Sequence, residues 1–202
     1  MQYSKVGICN LALAALGEKA IRDFSEGNTR ARMCDKFYEV TRDYLLGQFF
    51  WPFARVRKKL QELADPENWY PDGTRVFGIP SDCSKPIDVW PEGSFTTWEV
   101  LGDELALKKE GDVVLVYIKK ELNPGKYSAQ FVNLLSLALA VRMCMPLTQD
   151  ETLSKTLLSQ YMAEQNSAWS TDAAVGNKHL HNDNNPAYDA FVDPDYSFTE
   201  DR

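Results

Sequence analysis

The sequence predicts an α+β protein: mainly an α-helical bundle of four main helices, with an antiparallel β-sheet or sandwich inserted between helices 2 and 3 and an extended C-terminal tail. Long segments with helical apolar spacing flank a middle segment of short strand-like runs and frequent turn residues. The end of the chain is polar and acidic. The predicted boundaries are 1–52 and 125–176 for the bundle, 53–124 for the inserted β domain and 177–202 for a flexible C-terminal arm.

The first two helices follow from apolar spacing and capping residues. Residues 4–16 are apolar on nearly every face and should be buried, and Gly17 is a natural C-terminal stop. Asn28 or Thr29 is a suitable cap for the second helix. The apolar stripe of that helix comprises Cys34, Phe37, Tyr38, Thr41 and Leu45. Its opposite, solvated or interface face comprises Arg32, Asp35, Lys36, Glu39, Arg42 and Asp43.

The middle segment has the composition of an antiparallel sheet. Turn residues such as Pro71-Asp72-Gly73 and Gly102-Asp103 separate short apolar runs, and their close spacing favours hairpins. The predicted strands are residues 54–56, 76–79, 87–90, 97–101, 105–108 and 113–117.

Two further helices are predicted after the sheet. Ser128 can cap a helix over residues 129–144, which is apolar on almost every face and should be central, and Pro146 should end it. Thr148 with Glu151 matches a capping box for a last helix that closes at Gly176. The apolar positions of that helix are Leu153, Leu157, Tyr161 and Met162.

An aromatic cluster marks the passage from helix 2 to the sheet, in the stretch RDYLLGQFFWPFARVRKKL (42–60). Pro52 biases the preceding residue away from helical backbone, so helix 2 should end at Trp51. We expect four aromatic side chains to fill this corner, with a ligand pocket as the alternative. They are Phe49, Phe50, Trp51 and Phe53.

A basic stretch follows directly. Ala54 and Val56 alternate with cations, as in a half-buried strand that covers residues 53–60. We expect its cations to face a neighbouring copy or the lumen of a channel, with contact to a nucleic-acid backbone as the alternative. They are Arg55, Arg57, Lys58 and Lys59.

The C-terminal arm carries aromatic residues at intervals in an otherwise polar sequence. An arm that docks on a partner as an extended strand needs such anchors, whereas an inert tail does not. The candidate docking residues are Tyr188, Phe191, Tyr196 and Phe198.

Charge is unevenly distributed along the chain. The net charge is −7, with +5 in residues 1–60 and −6 in each of residues 61–120 and 121–202. An acidic chain is a poor general nucleic-acid binder, whereas a basic first segment can pair with the acidic segments of a neighbouring copy. The longest apolar run, residues 131–145, is shorter than the ~20 residues of a membrane span and contains Arg142, so we expect no membrane partner. The start of the chain lacks a signal-peptide pattern, which indicates synthesis in a reducing compartment.

Motifs for catalysis are missing from the sequence. It has no dinucleotide-binding or P-loop pattern, and its two histidines, His179 and His181, lie in the arm and make a poor metal site. Asp103 and Glu104 are adjacent and should face opposite ways, which does not suit a glycosidase pair. The four cysteines are far apart, as expected of buried thiols. We therefore predict a protein that is not an enzyme, with no catalytic, metal or cofactor-binding residues and no cofactor.

Several stretches together resemble one family. They are ICNLALAALGEKAI, RARMCDKFYEVTRDYLLGQFFWPFARVRKKL, FGIPSDC, FVNLLSLALAVRMCMPLTQDETLSKTLLSQYMAEQNSAW and DAAVGN. Their order and spacing resemble the phage head-to-tail adaptor (connector) family, the tail tubular protein A group of short-tailed phages. The resemblance covers roughly residues 3–176.

The resemblance implies a structural virion protein without catalytic activity, made in the host cytoplasm and located at the head–tail junction. Members of the family form a homo-oligomeric ring, typically of twelve copies, that joins the portal protein to the tail nozzle protein. The ring lines the channel for ejection of genomic DNA, which passes without sequence-specific binding. The bundle would form the ring wall, the β domain would project toward the tail, and a C-terminal arm would reach the portal.

Two other functions remain open at this point. One is a tail-associated glycan hydrolase, which would use carboxylates of the β domain. The other is a DNA-binding packaging protein that uses the basic stretch 55–59, which would bind DNA in a salt-sensitive way.

Overall fold

The structure is a computed structural model that describes residues 3–90, 98–108 and 110–176. The described residues form an α+β fold with four main helices and two small antiparallel sheets. The helices are α1 (Lys5–Ala15), α2 (Thr29–Gln48), α3 (Ala129–Thr148) and α4 (Glu151–Gly176). The strands are β1 (Arg55–Lys59), β2 (Arg75–Gly78), β3 (Cys83–Trp90), β4 (Trp98–Leu101), β5 (Glu104–Leu107) and β6 (Val114–Lys119). The sheets lie between α2 and α3 in the chain, as predicted.

Local side chains close the ends of α1. The Ser4 hydroxyl accepts a hydrogen bond from the N–H of Gly7 at 3.0 Å. At the other end, Gly17 adopts the left-handed conformation (φ 72°) that a residue with a Cβ adopts only with strain. The N–H of Glu18 then reaches back to the carbonyl of Leu13 at 2.9 Å, which satisfies a carbonyl that the helix leaves free.

The second helix begins as predicted and ends earlier. The side chain of Asn28 caps it by accepting the N–H of Ala31 at 2.8 Å. The helix ends at Gln48 rather than Trp51, because Phe49 is already in extended backbone. Pro52 therefore restricts the backbone of a segment that has already left the helix.

The prediction that Arg42 lies on the solvated or interface face of α2 is wrong. Arg42 is only 3% exposed. It stands four residues from both Tyr38 and Leu46, which are buried, and this spacing places all three on one side of the helix. Its guanidinium is paired with the carboxylate of Asp43 at 2.8 Å, and its aliphatic stem is taken into the core.

The third helix is the centre of the bundle. It contacts α1, α2 and α4, and ten of its twenty residues are buried. By length and composition it could cross a membrane, but about half of its most apolar window is buried inside the protein. The Ser128 hydroxyl caps it, as predicted, by accepting the N–H of Phe131.

The connection between α3 and α4 differs from the prediction at two points. Pro146 lies inside the last turn of α3, and the helix continues to Thr148. It is closed by Gln149 in the left-handed conformation, whose N–H bonds the carbonyl of Met145. Asp150, not Thr148, caps α4, since one carboxylate oxygen accepts the N–H groups of Thr152 and Leu153 at 2.9 Å.

Two three-stranded antiparallel sheets form the inserted domain. The strand orders are β1-β6-β3 and β2-β5-β4, so β6 and β5 are the central strands. An apolar core contains residues of both sheets: Leu60, Phe77, Leu105, Leu107, Val113, Leu115 and Tyr117. The other side of the first sheet reaches the bundle, where Ile118 of β6 is part of the helical core. The two cores therefore share β6.

Candidate functional site

Aromatic side chains from both halves of the bundle meet at the junction with the sheets. Trp51 is central, with its ring centroid 5.0 Å from Phe49 and 4.9 Å from Phe131. Phe53 and Tyr127 complete the cluster, 5.6 Å apart. The indole N–H of Trp51 donates to the carbonyl oxygen of Leu45 at 2.8 Å, so its polar atom is satisfied in a buried site. The cluster joins the segments where the chain leaves the bundle and where it returns.

Phe50 does not belong to this cluster, and the prediction that it fills the junction is wrong. Its side chain is 45% exposed, whereas Phe49 and Trp51 are buried. The backbone is extended from Phe49, so successive side chains point to opposite sides. The ammonium of Lys85 lies 4.5 Å from the Phe50 ring centroid instead.

The predicted basic stretch is the edge strand β1, which pairs with β6 alone in its sheet. Alternation along the strand places Arg55, Arg57 and Lys59 on one face. Lys58 shares the other face with Val56, which packs on the core between the sheets, but Lys58 is exposed at the rim. Three of the four predicted cations therefore share one surface.

Aromatic residues and a further cation complete that surface. Register through β6 places Lys85 opposite Arg55, and Trp90 opposite Lys59. The guanidinium carbon of Arg57 lies 5.3 Å from the Trp90 ring centroid, and Lys59 forms an exposed ion pair with Asp112 at 2.7 Å. We call the four cations on this face, Arg55, Arg57, Lys59 and Lys85, the cationic face. Arg57, Lys59 and Phe50 are exposed on this face, whereas Arg55, Lys85 and Trp90 are half-buried.

Glu104, at the start of β5, is a buried carboxylate that holds a loop. It accepts hydrogen bonds from the N–H of Glu67, from the N–H and side-chain amide of Asn68 (3.2 and 2.7 Å), and from the Tyr70 hydroxyl (3.0 Å). The side-chain amide of Asn68, supported by the other donors, lowers the pKa of Glu104 against the effect of burial. A carboxylate kept ionised and saturated with donors is a poor general acid, and its evident role is to fasten residues 67–70 to β5.

The other candidates for chemistry are thiols and metal ligands. Cys9, Cys34 and Cys144 are buried, as predicted, while Cys83 is half-buried, and burial raises the pKa of Cys83 to about 11. Among the described residues, no three His, Cys, Asp or Glu side chains are grouped so that they could hold a metal ion.

Several predicted residues lie outside the described part of the chain. They are the histidines His179 and His181 and the arm residues Tyr188, Phe191, Tyr196 and Phe198.

A groove between α2, α3 and α4 is a surface feature that the sequence did not predict. Met162, one of the apolar positions predicted for α4, is 56% exposed, and Leu158 one turn before it is 45% exposed. The sequence signal that could have indicated this groove is the width of the apolar surface of α4. It is wider than one helix needs to pack on a single neighbour.

No family model matches the chain, and no curated protein matches it as a relative.

Proposed function

We propose that the protein is a structural component of a phage virion, a ring-forming adaptor between the portal protein and the tail nozzle protein. The bundle would form the ring wall, and the β domain would project toward the tail. DNA would leave through the central channel. No catalytic step is part of this function.

The architecture is the observation that carries the proposal. The chain leaves the bundle between α2 and α3, builds two small sheets, and returns through the aromatic cluster around Trp51. The sequence resemblance implies this order of elements for an adaptor. A projecting domain that must hold its angle under load needs a stiff connection, and large interlocked aromatic rings supply one.

Charge distribution supports assembly of a ring. Neighbours in a ring meet through two different patches, which must be complementary. The cationic face offers one patch, and the remainder of the chain is acidic, with −6 in each of residues 61–120 and 121–202. Complementary charge also directs the approach of two copies and disfavours wrong contacts.

The acidic character also suits a DNA conduit. Protein–DNA affinity comes largely from neutralisation of phosphates by cations. A chain with net charge −7 offers few such contacts and allows DNA to slide past.

The proposal is tested by mixing the purified full chain with the portal protein of its own phage. We expect co-sedimentation of the two proteins and rings on the portal in electron micrographs. A chain that stays in the supernatant at micromolar concentrations of both proteins would overturn the proposal.

One observation favours a second candidate, a protein that contacts DNA phosphates through the cationic face. Cations lie beside aromatic rings there, with Arg57 over the half-buried ring of Trp90 and Lys85 over the exposed ring of Phe50. Single-stranded nucleic acid binds surfaces that combine backbone-tracking cations with rings on which bases stack. The salt dependence of DNA binding separates the two candidates.

A further inference from the structure

The groove between α2, α3 and α4 has a volume of about 200 Å³ and opens to solvent. Its lining is mostly apolar, with two tyrosines and one arginine. The lining residues are Thr41, Tyr44, Ala138, Val141, Arg142, Leu158 and Tyr161. An apolar lining with a few converging polar groups is the usual character of a binding groove.

The arginine and the two tyrosines of the groove have no acceptor within the described residues, whereas the Thr41 hydroxyl donates to the carbonyl of Phe37 at 2.7 Å. Arg142 makes no ion pair there, and its guanidinium carbon lies 6.0 Å from the Tyr44 ring centroid. The hydroxyls of Tyr44 and Tyr161 also lack a hydrogen-bond partner in that part of the chain. Burial raises the pKa of Tyr161, so its hydroxyl keeps its proton and is a donor. Three donors around an apolar groove suit a carboxylate that is flanked by apolar side chains.

Exposed apolar side chains extend the groove on both sides. Val40 is 59% exposed and stands one turn before Tyr44 on α2. On α4, Met162 stands one turn after Leu158, and both are about half exposed. Adjacent apolar side chains left in water at a groove mark a surface that a partner covers.

We propose that this groove binds the C-terminal arm of the same chain, through residues 186–198. The sequence of this segment, PAYDAFVDPDYSF, places aspartates directly beside aromatic residues. Asp189 follows Tyr188, and Asp195 precedes Tyr196. Aromatic rings would occupy the apolar floor, and a neighbouring carboxylate would bond Arg142 and the tyrosine hydroxyls.

Charge favours this occupant. Residues 177–202 carry six Asp or Glu against two Lys or Arg. None of the residues that line the groove is acidic, and Arg142 is its one charged group. The two surfaces therefore attract each other, and the attraction is strongest where the arginine is desolvated by the arriving aromatic ring.

Chain length permits the contact within one copy. Leu158 lies 18 residues before Gly176 on α4, which corresponds to about 27 Å of helix. The 12 residues from Gly176 to Tyr188 can span up to about 40 Å when extended. The arm can therefore turn back along α4 and reach the groove. The inference concerns the free chain and does not rest on the proposed function.

The test is photo-crosslinking in the full chain, with p-benzoylphenylalanine in place of Phe191. Equal amounts of ¹⁵N-labelled and unlabelled protein are mixed before irradiation, and crosslinked peptides are identified by mass spectrometry. We expect crosslinks to α2 and α4 around Tyr44 and Leu158, within chains of one isotopic composition. Leu158→Asp and Arg142→Glu should each reduce their yield by about tenfold, because each removes an anchor of the contact.

Arg32→Glu is the matched control, since Arg32 is exposed on α2 and does not line the groove. It should leave the crosslinks unchanged. Circular dichroism of every variant checks the fold. Leu158 and Arg142 are partly exposed, so their substitution can reduce crosslinking without unfolding the protein. Crosslinks elsewhere, crosslinks that survive both groove substitutions, absence of any crosslink, or crosslinks of which about half join differently labelled chains, as random pairing between copies in an equal mixture would give, would each overturn the proposal.

Discussion

Neighbouring aromatic residues at the end of α2 have opposite environments. Trp51 is 1% exposed, bonds the carbonyl of Leu45 and touches rings from both halves of the bundle. Phe50, one residue earlier, is 45% exposed and contacts the ammonium of Lys85. Both residues are aromatic and lie at the junction, so the sequence predicted the same environment for them. Successive side chains alternate along extended backbone, which places the two rings on opposite sides.

This difference predicts unequal costs of truncation. Trp51→Ala should destabilise the fold by about 3–5 kcal/mol, because it opens a cavity among fixed aromatic rings. Phe50→Ala should cost less than about 1 kcal/mol, since it removes a solvent-exposed ring and one cation–π contact. Urea unfolding followed by far-UV circular dichroism measures both. Equal losses of stability would contradict the assignment of Phe50 to the surface.

The sequence predicted burial correctly along the apolar stripe of α2, but not for a long charged side chain of the same helix. Of the predicted stripe, Cys34, Tyr38, Thr41 and Leu45 are buried, and Phe37 is half-buried against the same core. Arg42 was misplaced because a long aliphatic stem can enter a core while its charge finds a carboxylate at the edge. The groove was not predicted because it forms between α2 and the α3–α4 pair, which the inserted sheets separate in the sequence.

Helix ends show which signals are local. Caps by Ser4, Asn28 and Ser128 use side chains within three residues of the N–H groups they accept, so the sequence contains the whole interaction. The same is true of Gly17, whose positive φ needs no tertiary contact. Pro146 was misjudged because a proline lacks only its own N–H, which would bond the carbonyl of Arg142, and the two residues after it can still continue the helix to Thr148.

Strands were located well, but their partners were not predictable. Each of the six strands overlaps a predicted run. The pairing of β1 with β6 joins residues about 60 positions apart, for example Arg57 with Val116, and no local pattern specifies such a register. The same limit applies to the junction, where Trp51 meets Phe131 across the entire inserted domain.

The hydrogen bonds between Glu104 and residues 67–70 predict that the free energy of unfolding depends on pH. Folding lowers the pKa of Glu104 below its unfolded value of about 4.3. Its contribution is therefore fully present above the unfolded pKa and is lost as pH falls through the folded pKa. Glu104→Gln should lower the midpoint of urea unfolding at pH 7, and the difference from the wild type should shrink as pH falls toward 3.

Glu99→Gln is the control for this experiment, because Glu99 is exposed on the neighbouring strand β4. It should leave the unfolding midpoint nearly unchanged at neutral pH. A Glu104→Gln effect that stays constant from pH 7 to pH 3 would show that the carboxylate charge is not what fastens the loop.

The proposed assembly and the DNA-binding alternative place the cationic face on different partners. In the proposed ring it meets an acidic patch of a neighbouring copy, and in the alternative it meets phosphates. Arg57→Gln, Lys59→Gln and Lys85→Gln combined, which remove three cations of the cationic face, should reduce portal-dependent ring formation by about tenfold. In the ring proposal the wild-type chain has negligible affinity for DNA near 0.15 M salt, and the same variant should leave this affinity unchanged.

A matched control removes three exposed cations elsewhere, at Lys108, Lys126 and Lys155. It makes the same change in net charge and should assemble normally. Band-shift and sedimentation assays across a salt series report both properties. DNA binding by the wild-type chain that weakens steeply with salt, and that only the variant of the cationic face loses, would favour the alternative over the ring.

The position of the insert has a consequence for biosynthesis. The central helix α3 follows all six strands, so a ribosome completes residues 55–119 before it makes the helix that covers α1 and α2. At about 5–20 residues per second, the apolar faces of the first two helices stay uncovered for several seconds. The two sheets can close in that interval, since each strand pairs within the segment. We expect newly made chains to bind chaperones through α1 and α2 until α3 emerges, and truncation before residue 129 to yield aggregation rather than a half-bundle.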